Sequence, residues 1–417
     1  MASFEKFVGH FTSPTSANSS YAITGVGFTP KVVIFYPTAR TATGTDSTSD
    51  VTFGMGAMTA DDQFVALMTD TDAAATMDVQ GYRVSTACIR VYSPAGTLTK
   101  QASYVSMDAD GFTLNYSLAN ASAYIVHYIA LGGTHLDVAV RQSAMVVRDT
   151  DGTPFVYESS SLGFAPKGYL LSSYEGGAGY SDIMFGGSSG SVAESFTVSA
   201  FNEDGVSRSD TGRGQSSSHV WQLQGVGPST AGQAEHSALG VDSFSINKTE
   251  QIGAASSELS CIAFGGSIDC FMGNTTLATS GATQAVTVET GFQPDAIMFF
   301  GTDQTADGAA NDLYMSVGLS DGTNHRGYLF AKNDNSADSD PVTNVSHTHC
   351  ILSDIDKATG AADDADIDSF GVNGFTIGHN VNPATAWRIG YFAIKDVPTP
   401  SFVSNSARRR MHPLLAM

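Results

Sequence analysis

Basic residues are scarce in this chain. Lysine and arginine number 20 against 41 aspartates and glutamates, for a formal net charge of −21. A body of that sign repels phosphate backbones, so DNA or RNA is not an expected partner. The 4 cysteines, Cys88, Cys261, Cys270 and Cys350, show no CxxC spacing. That removes the usual zinc signature and leaves buried free thiols as the expectation. No apolar run reaches ~18 residues, so no membrane span is expected. The start, Met1-Ala2-Ser3-Phe4-Glu5-Lys6, lacks the apolar core of a signal peptide, which predicts a soluble protein made in a cytoplasm. Helical periodicity with caps is nearly missing. So are a Gly-x-Ser-x-Gly elbow, a P-loop and His-Glu-x-x-His.

What is present is a hydrophobic share of 42% with only 15% charged residues. Ser, Thr, Asn and Gly supply the remaining polarity. Small polar and β-branched residues suit pleated strands and tight turns, so the composition predicts an all-β fold.

Three motifs recur in one order. The first is Gly-Phe-x-Pro followed by an apolar run: Gly27-Phe28-Thr29-Pro30 before Val32 to Tyr36, Gly163-Phe164-Ala165-Pro166 before Tyr169 to Leu171, and Gly291-Phe292-Gln293-Pro294 before Ala296 to Phe300. Gly and Pro punctuate a turn, and the run predicts a fully buried strand. The second motif is Asp110-Gly111-Phe112-Thr113-Leu114, then Asp242-Ser243-Phe244-Ser245-Ile246, then Asn373-Gly374-Phe375-Thr376-Ile377. The third closes each copy with Tyr128-Ile129-Ala130-Leu131, Cys261-Ile262-Ala263-Phe264 and Tyr391-Phe392-Ala393-Ile394. The copies repeat every 128 to 136 residues, far above the ~20–50 of solenoid or propeller units, so each can own a core.

Between these markers lie further short apolar runs, among them Val51 to Gly56, Phe64 to Met68, Ala87 to Tyr92 and their counterparts. Six to eight strands per copy with turn signals between them predict a small antiparallel β-sandwich. The closing strand alternates: Tyr128, Val126 and Tyr124 on one face, His127 and Ile125 on the other. The same holds in the other copies, which predicts half-buried strands. Gly132-Gly133 and Gly265-Gly266 mark boundaries. The expected organisation is therefore three tandem β-sandwiches, 1–133, 134–266 and 267–396, then a tail, 397–417. Near-equal lengths and short junctions favour a pseudo-threefold arrangement over a string.

The early strand after Pro30, the late Gly111 to Leu114 strand and the closing Tyr128 to Gly132 strand, with their counterparts, resemble the H-type lectin β-sandwich. The same repeat is similar to domains of virion and tail-appendage proteins of tailed bacteriophages. H-type lectins are trimers of separate chains, so the resemblance implies a covalent pseudo-trimer. Their sugar-binding residues lie outside these markers. The phage resemblance implies a virion surface location and other virion proteins as partners in a larger symmetric assembly.

Few residues suggest chemistry. His347-Thr348-His349 would put two imidazoles on one strand face, with Asp354 or Asp356 as a third metal ligand. That set is incomplete, so no metal and no cofactor is expected. The acidic stretches Asp354 to Asp368 and Asn333 to Asp340 could hold calcium but lack EF-hand spacing; solvated loops are expected. Gly186-Gly187-Ser188-Ser189-Gly190 is expected to be a turn. No carboxylate pair recurs for glycoside hydrolysis. Arg408, Arg409 and Arg410 form the basic cluster, and Met411 to Met417 after it is apolar. Arg408, Arg409, Arg410, Leu414 and Leu415 are therefore candidate partner-binding residues. The expected function is a non-enzymatic structural protein on the tail or head of a tailed phage. A glycan-binding adhesin reading the host surface is the alternative, and a tailspike-like polysaccharide hydrolase the third.

Overall fold

The computed structural model describes residues 3–93, 96–148, 155–177, 180–225, 229–250, 256–289, 291–355 and 363–397. It is all-β, 64% strand, in six antiparallel sheets. The described residues contain no α-helix, only a 3-10 turn at Val192–Glu194.

Each third of the chain carries one large and one small sheet. In spatial order, the first large sheet runs Glu5–Thr12, Ile125–Gly132, Pro30–Pro37, Val51–Met58, Gln63–Asp70 and Val79–Val84. Its small sheet runs Asn18–Thr24, Gly111–Leu118, Leu98–Asp108 and Ile89–Tyr92. The second large sheet runs Leu136–Arg148, Ser256–Gly266, Pro166–Gly177, Tyr180–Ser188, Ser195–Glu203 and Thr211–Ser216, and its small sheet Phe155–Glu158, Phe244–Glu250, Ser229–Leu239 and Trp221–Gly225. The third pair runs Ile268–Thr276, Arg388–Asp396, Ala296–Gln304, Leu313–Ser320, His325–Lys332 and Val342–Ser346, then Thr283–Thr287, Gly374–His379, Asp363–Gly371 and Ile351–Ser353.

Two short strands cross between thirds. Gly44–Asp46 pairs with Val342–Ser346, and Gly308–Asn311 pairs with Thr211–Ser216, each adding a seventh strand to a sheet of another third. The matching edge in the first third, Val79–Val84, is covered by Tyr174, whose ring lies where a Cβ on Gly81 would stand. Sheet edges left bare invite pairing with other chains, and these three are covered from within.

The first two sequence motifs are physically joined. Asp110 accepts from the backbone N–H of Gly25 (3.1 Å) and Gly27 (2.7 Å). Asp242 accepts from Leu162 (3.1 Å) and Gly163, and Asn373 from Gly291 (2.8 Å). Gly27, Gly163 and Gly291 have φ of 89°, 86° and 79°, a region glycine enters without steric cost. The turn before the buried strand is thus fixed by the acid or amide that starts the late strand. Phe112, Phe244 and Phe375 then point into three separate clusters, each lying between the large and small sheets of one third.

Glycines in the large sheets let the small sheets come close. A Cβ on Gly56, Gly186 or Gly318 would run into the carbonyl oxygen of Cys88, Val220 or Cys350 respectively. Cys88, Cys261 and Cys350 are buried and all four cysteines are unpaired.

A further cluster draws on all three thirds. Phe53 lies 5.0 Å from Tyr328, 6.0 Å from Phe330 and 6.2 Å from Phe185, ring to ring. This shared core corrects the half-buried reading of the closing strands. Ile125–Gly132 is buried throughout, as are most of Arg388–Asp396 and the described side chains of Ser256–Gly266. Tyr128, Cys261 and Tyr391 face their own clusters, while Ile129, Ile262 and Phe392 face the shared one. The alternation was real, but its second face meets protein rather than water.

Fully buried at that centre, Lys332 meets Asp70 at 2.8 Å, and both side chains are 0% exposed. Asn202 donates to Asp70 at 2.9 Å and accepts from Lys332 at 3.3 Å, and Ser339 donates to Asp70 at 3.0 Å. Burial pushes the Asp70 carboxyl up, while the ammonium and the two donors pull it back. Beside this triad three loops interlock. Met77 N–H donates to Val206 (2.9 Å), Ser209 to Ser336 (3.0 Å) and Ser339 to Ala74 (3.0 Å). A second set returns: Gly205 to Met77 (2.8 Å), Asn335 to Ser209 (2.7 Å) and Ala73 to Ser339 (2.9 Å). The Asn333 to Asp340 stretch, expected to be a solvated loop, is a working part of this ring, and Asp334 accepts from Thr211 N–H at 3.2 Å.

Among the described residues the thirds carry 11, 10 and 11 strands, more than the six to eight expected. The extra ones include polar stretches such as Thr211–Ser216, Thr-Gly-Arg-Gly-Gln-Ser, which has no apolar pattern. Asp363, Asp364, Asp366 and Asp368 lie on the strand Asp363–Gly371, not in a loop. Ser189 and Gly190 do turn the chain, and Ser189 Oγ accepts from Met272 N–H at 2.9 Å.

Candidate functional site

Each third presents its first strand to a hairpin of another. Val8 N–H donates to Asp321 Oδ2 (2.9 Å), Met272 N–H to Ser189 Oγ (2.9 Å), and Arg141 approaches Asp62 (3.7 Å). The strands Gln63–Asp70, Ser195–Glu203 and His325–Lys332 each bring their second residue to such a junction. In two cases it is a buried phenylalanine, Phe64 or Phe196. Phe196 fills the space where Gly390 has no side chain. In the third case it is Arg326.

Arg326 has imidazoles for neighbours. His10 and His127 are partners across Glu5–Thr12 and Ile125–Gly132. His347 stacks on His10, centroids 3.6 Å apart with an interplanar angle of 23°, and meets His127 edge-on at 5.3 Å. Burial lowers the His347 pKa to about 4, helped by His10 and Arg326. Burial also holds His127 well below its ordinary value, with His347 and Arg326 adding to it, and lowers His10. The three rings are therefore neutral at pH 7. The Arg326 guanidinium donates to the carbonyls of His325 (2.5 Å) and His347 (2.7 Å). Its Nε, with Nε2 of His127 and of His347, is buried without a partner.

Beside this cluster a cavity of about 370 Å³ opens between Glu5–Thr12 and Asn18–Thr24, the edge strands of the first large and small sheets. Phe7, Phe11, Tyr21, Tyr128, His10 and Arg326 line it. The rings form one wall: Phe7 and Phe11 lie 6.1 and 6.0 Å from Tyr128, and Phe11 lies 6.1 Å from Tyr21. Gly9 permits this, because a Cβ there would meet Tyr128 and Phe7 at 2.6 and 2.7 Å.

The residues picked out for metal binding are not brought together. His347, Thr348 and His349 lie in the bend between Val342–Ser346 and Ile351–Ser353 rather than on a strand face. His347 goes to the His10 stack, while His349 Nδ1 pairs with Asp364 at 3.2 Å. Asp354 N–H donates to Asp303 at 2.6 Å, in a separate cluster. Asp356 lies outside the described residues. Stacked imidazoles turn faces, not lone pairs, toward each other. Among the described residues no group of three or more His, Cys, Asp or Glu is set to hold a metal ion. The tail candidates Arg408, Arg409, Arg410, Leu414 and Leu415 also lie outside the described residues.

Sequence reasoning missed His10, His127, Arg326 and the aromatic wall. One signal was available: aligning the strands shows arginine where the other two copies have phenylalanine. No protein-family model and no curated protein sequence matches this chain.

Proposed function

We propose that this chain is a non-enzymatic structural protein of a tailed-phage particle, carried on the tail or head surface among other virion proteins. In this reading residues 1–133, 134–266 and 267–396 are three β-sandwich domains closed about a pseudo-threefold axis, and 397–417 attaches them to the assembly. One observation carries it: two sets of three matching backbone hydrogen bonds link first to second, second to third and third to first, with no open end. With the shared core and the crossed edge strands, that closure ties each described third to both others. A body that gains its rigidity from within one chain suits a particle component that must persist without turnover. The phage assignment itself rests on the sequence resemblance.

The test is to truncate the chain at Pro398 and image particles by electron microscopy. The shortened protein should fold with an unchanged melting curve but fail to join particles. Incorporation at the wild-type level would move the attachment surface onto the sandwiches, and absence of the full-length protein from particles would end the structural reading. A second reading, a glycan-binding adhesin, is favoured by the aromatic cavity beside Arg326.

A further inference from the structure

We propose that the cavity between Glu5–Thr12 and Asn18–Thr24 binds a carboxylate-bearing sugar residue of a surface polysaccharide, with Arg326 as its anion anchor and the Phe7–Phe11–Tyr21 wall, backed by the buried Tyr128, as its stacking surface. This rests on the adhesin reading and names its ligand class.

Arg326 is the departure from symmetry. The junctions that carry Phe64 and Phe196 show that an apolar ring satisfies this position structurally. An arginine there gives up apolar burial and desolvates a cation, and burial does lower its pKa. No carboxylate among the described residues lies within ion-pair distance of it. The nearby Asp321 is committed elsewhere: its oxygens accept from Val8, Thr323 and Asn324 N–H and from the Asn324 amide. The neighbouring imidazoles are neutral at pH 7, so the guanidinium is offset only through space, chiefly by Asp321, with no carboxylate paired to it directly. A partly buried cation lining an open cavity calls for an anion, and the planar guanidinium matches a carboxylate.

The rest of the lining says what carries the anion. Aromatic faces pack well against the C–H faces of a pyranose ring, while the exposed His10 imidazole supplies a donor and an acceptor for hydroxyls. The volume falls within the ~300–1,000 Å³ typical of ligand clefts. The net charge of −21 does not forbid an anionic ligand. Charges farther than ~8 Å are largely screened at physiological ionic strength. The groups facing the cavity are Arg326, His10 and the two tyrosines, with Asp321 behind.

The experiment uses the full chain and calorimetric titration with oligosaccharides containing glucuronic or sialic acid, and with the same oligosaccharides after reduction of the carboxyl to an alcohol. The acidic forms should bind and the reduced forms should bind about tenfold or more weakly, since the charge-assisted pair is lost. Free glucuronic acid is a separate arm; binding it as tightly as the oligosaccharide would refute the polysaccharide assignment. Arg326→Lys and Arg326→Met should each lose about tenfold or more in affinity. Should those variants fail to fold, Tyr21→Ala decides, because loss of the stacking face should weaken binding with the melting curve intact. Equal binding of acidic and reduced forms, or binding indifferent to Arg326 and Tyr21, overturns the proposal and leaves the adhesin reading standing. Binding of no glycan on an array of neutral and acidic sugars ends both and leaves the structural role untouched.

Discussion

Removing the buried ammonium of Lys332 should reveal how much the centre depends on one ion pair. In Lys332→Met the side-chain volume is nearly kept, so packing alone should change little. Asp70, 1% exposed, would keep Asn202 and Ser339 as donors but lose its counter-charge. Breaking a buried pair from one side costs about 3–5 kcal/mol, because the remaining charge is left uncompensated. The pH dependence follows. Burial already pushes the Asp70 carboxyl up, and without Lys332 nothing cationic opposes it. Its folded pKa then lies above the unfolded value of ~3.9, and the folded state holds the extra proton. Stability of the variant is fully present below the unfolded pKa and is lost as pH rises through the folded one. The gap from wild type should thus be widest at pH 7 and narrow toward pH 4. Asp70→Asn combined with Lys332→Met should cost less than Lys332→Met alone, since the three remaining groups are neutral and can bond to one another. Urea unfolding followed through the buried Trp221 measures this at each pH. A Lys332→Met midpoint equal to wild type at pH 7, or a gap that widens in acid, would refute the reasoning.

Gly318→Ala should destabilise by at least about 2 kcal/mol, because its methyl meets the backbone carbonyl of Cys350 and neither sheet can yield cheaply; an unchanged midpoint would mean that the small sheet rides higher than described. Phe112→Ala should cost about 3–5 kcal/mol through lost burial and the cavity left among Phe11, Phe35 and Tyr128, and thermal melting checks it. The His347 pKa of about 4 lies below the unfolded ~6.5, so stability present above pH 6.5 should be lost as pH falls toward 4. Allowing for solvent screening of this partly exposed ring, the loss is about 1–2 kcal/mol; His347→Asn should remove that share of the pH slope in urea titrations.

Much of the local structure was legible because its causes are local. Glycine at positive φ, proline after it and a run of apolar residues mark Pro30–Pro37 and its two counterparts without any knowledge of neighbours. The link from Asp110 to Gly27 was half legible: both motifs stood out, but nothing in either says that one bonds the other. The closing strands misled because a polar residue such as His127 or Ser260 normally signals solvent, whereas here both are buried and His127 meets His347 of another third. The His347-Thr348-His349 run misled for a different reason. The chain bends after Ser346, whose hydroxyl accepts from the N–H groups of Thr348 and His349, so the two imidazoles part. The loop ring was out of reach, because it joins residues more than a hundred positions apart, and the arginine substitution was visible in the repeat while its imidazole neighbours His10 and His127 were not.

The crossed edge strands set an order for synthesis. Gly44–Asp46 is made early, yet the strand it completes, Val342–Ser346, is made only in the last third, and Arg40 meets Thr343 across a separation of 303 residues. At ~5–20 residues per second on a ribosome, that gap is roughly 15–60 s. Throughout that time the first third can form its own two sheets, but its outgoing arm has no seat. Nor does Val79–Val84 have its cover until Tyr174 emerges. The nascent chain therefore carries unpaired edges that the finished molecule hides, and during synthesis the ring cannot close before the last third has emerged.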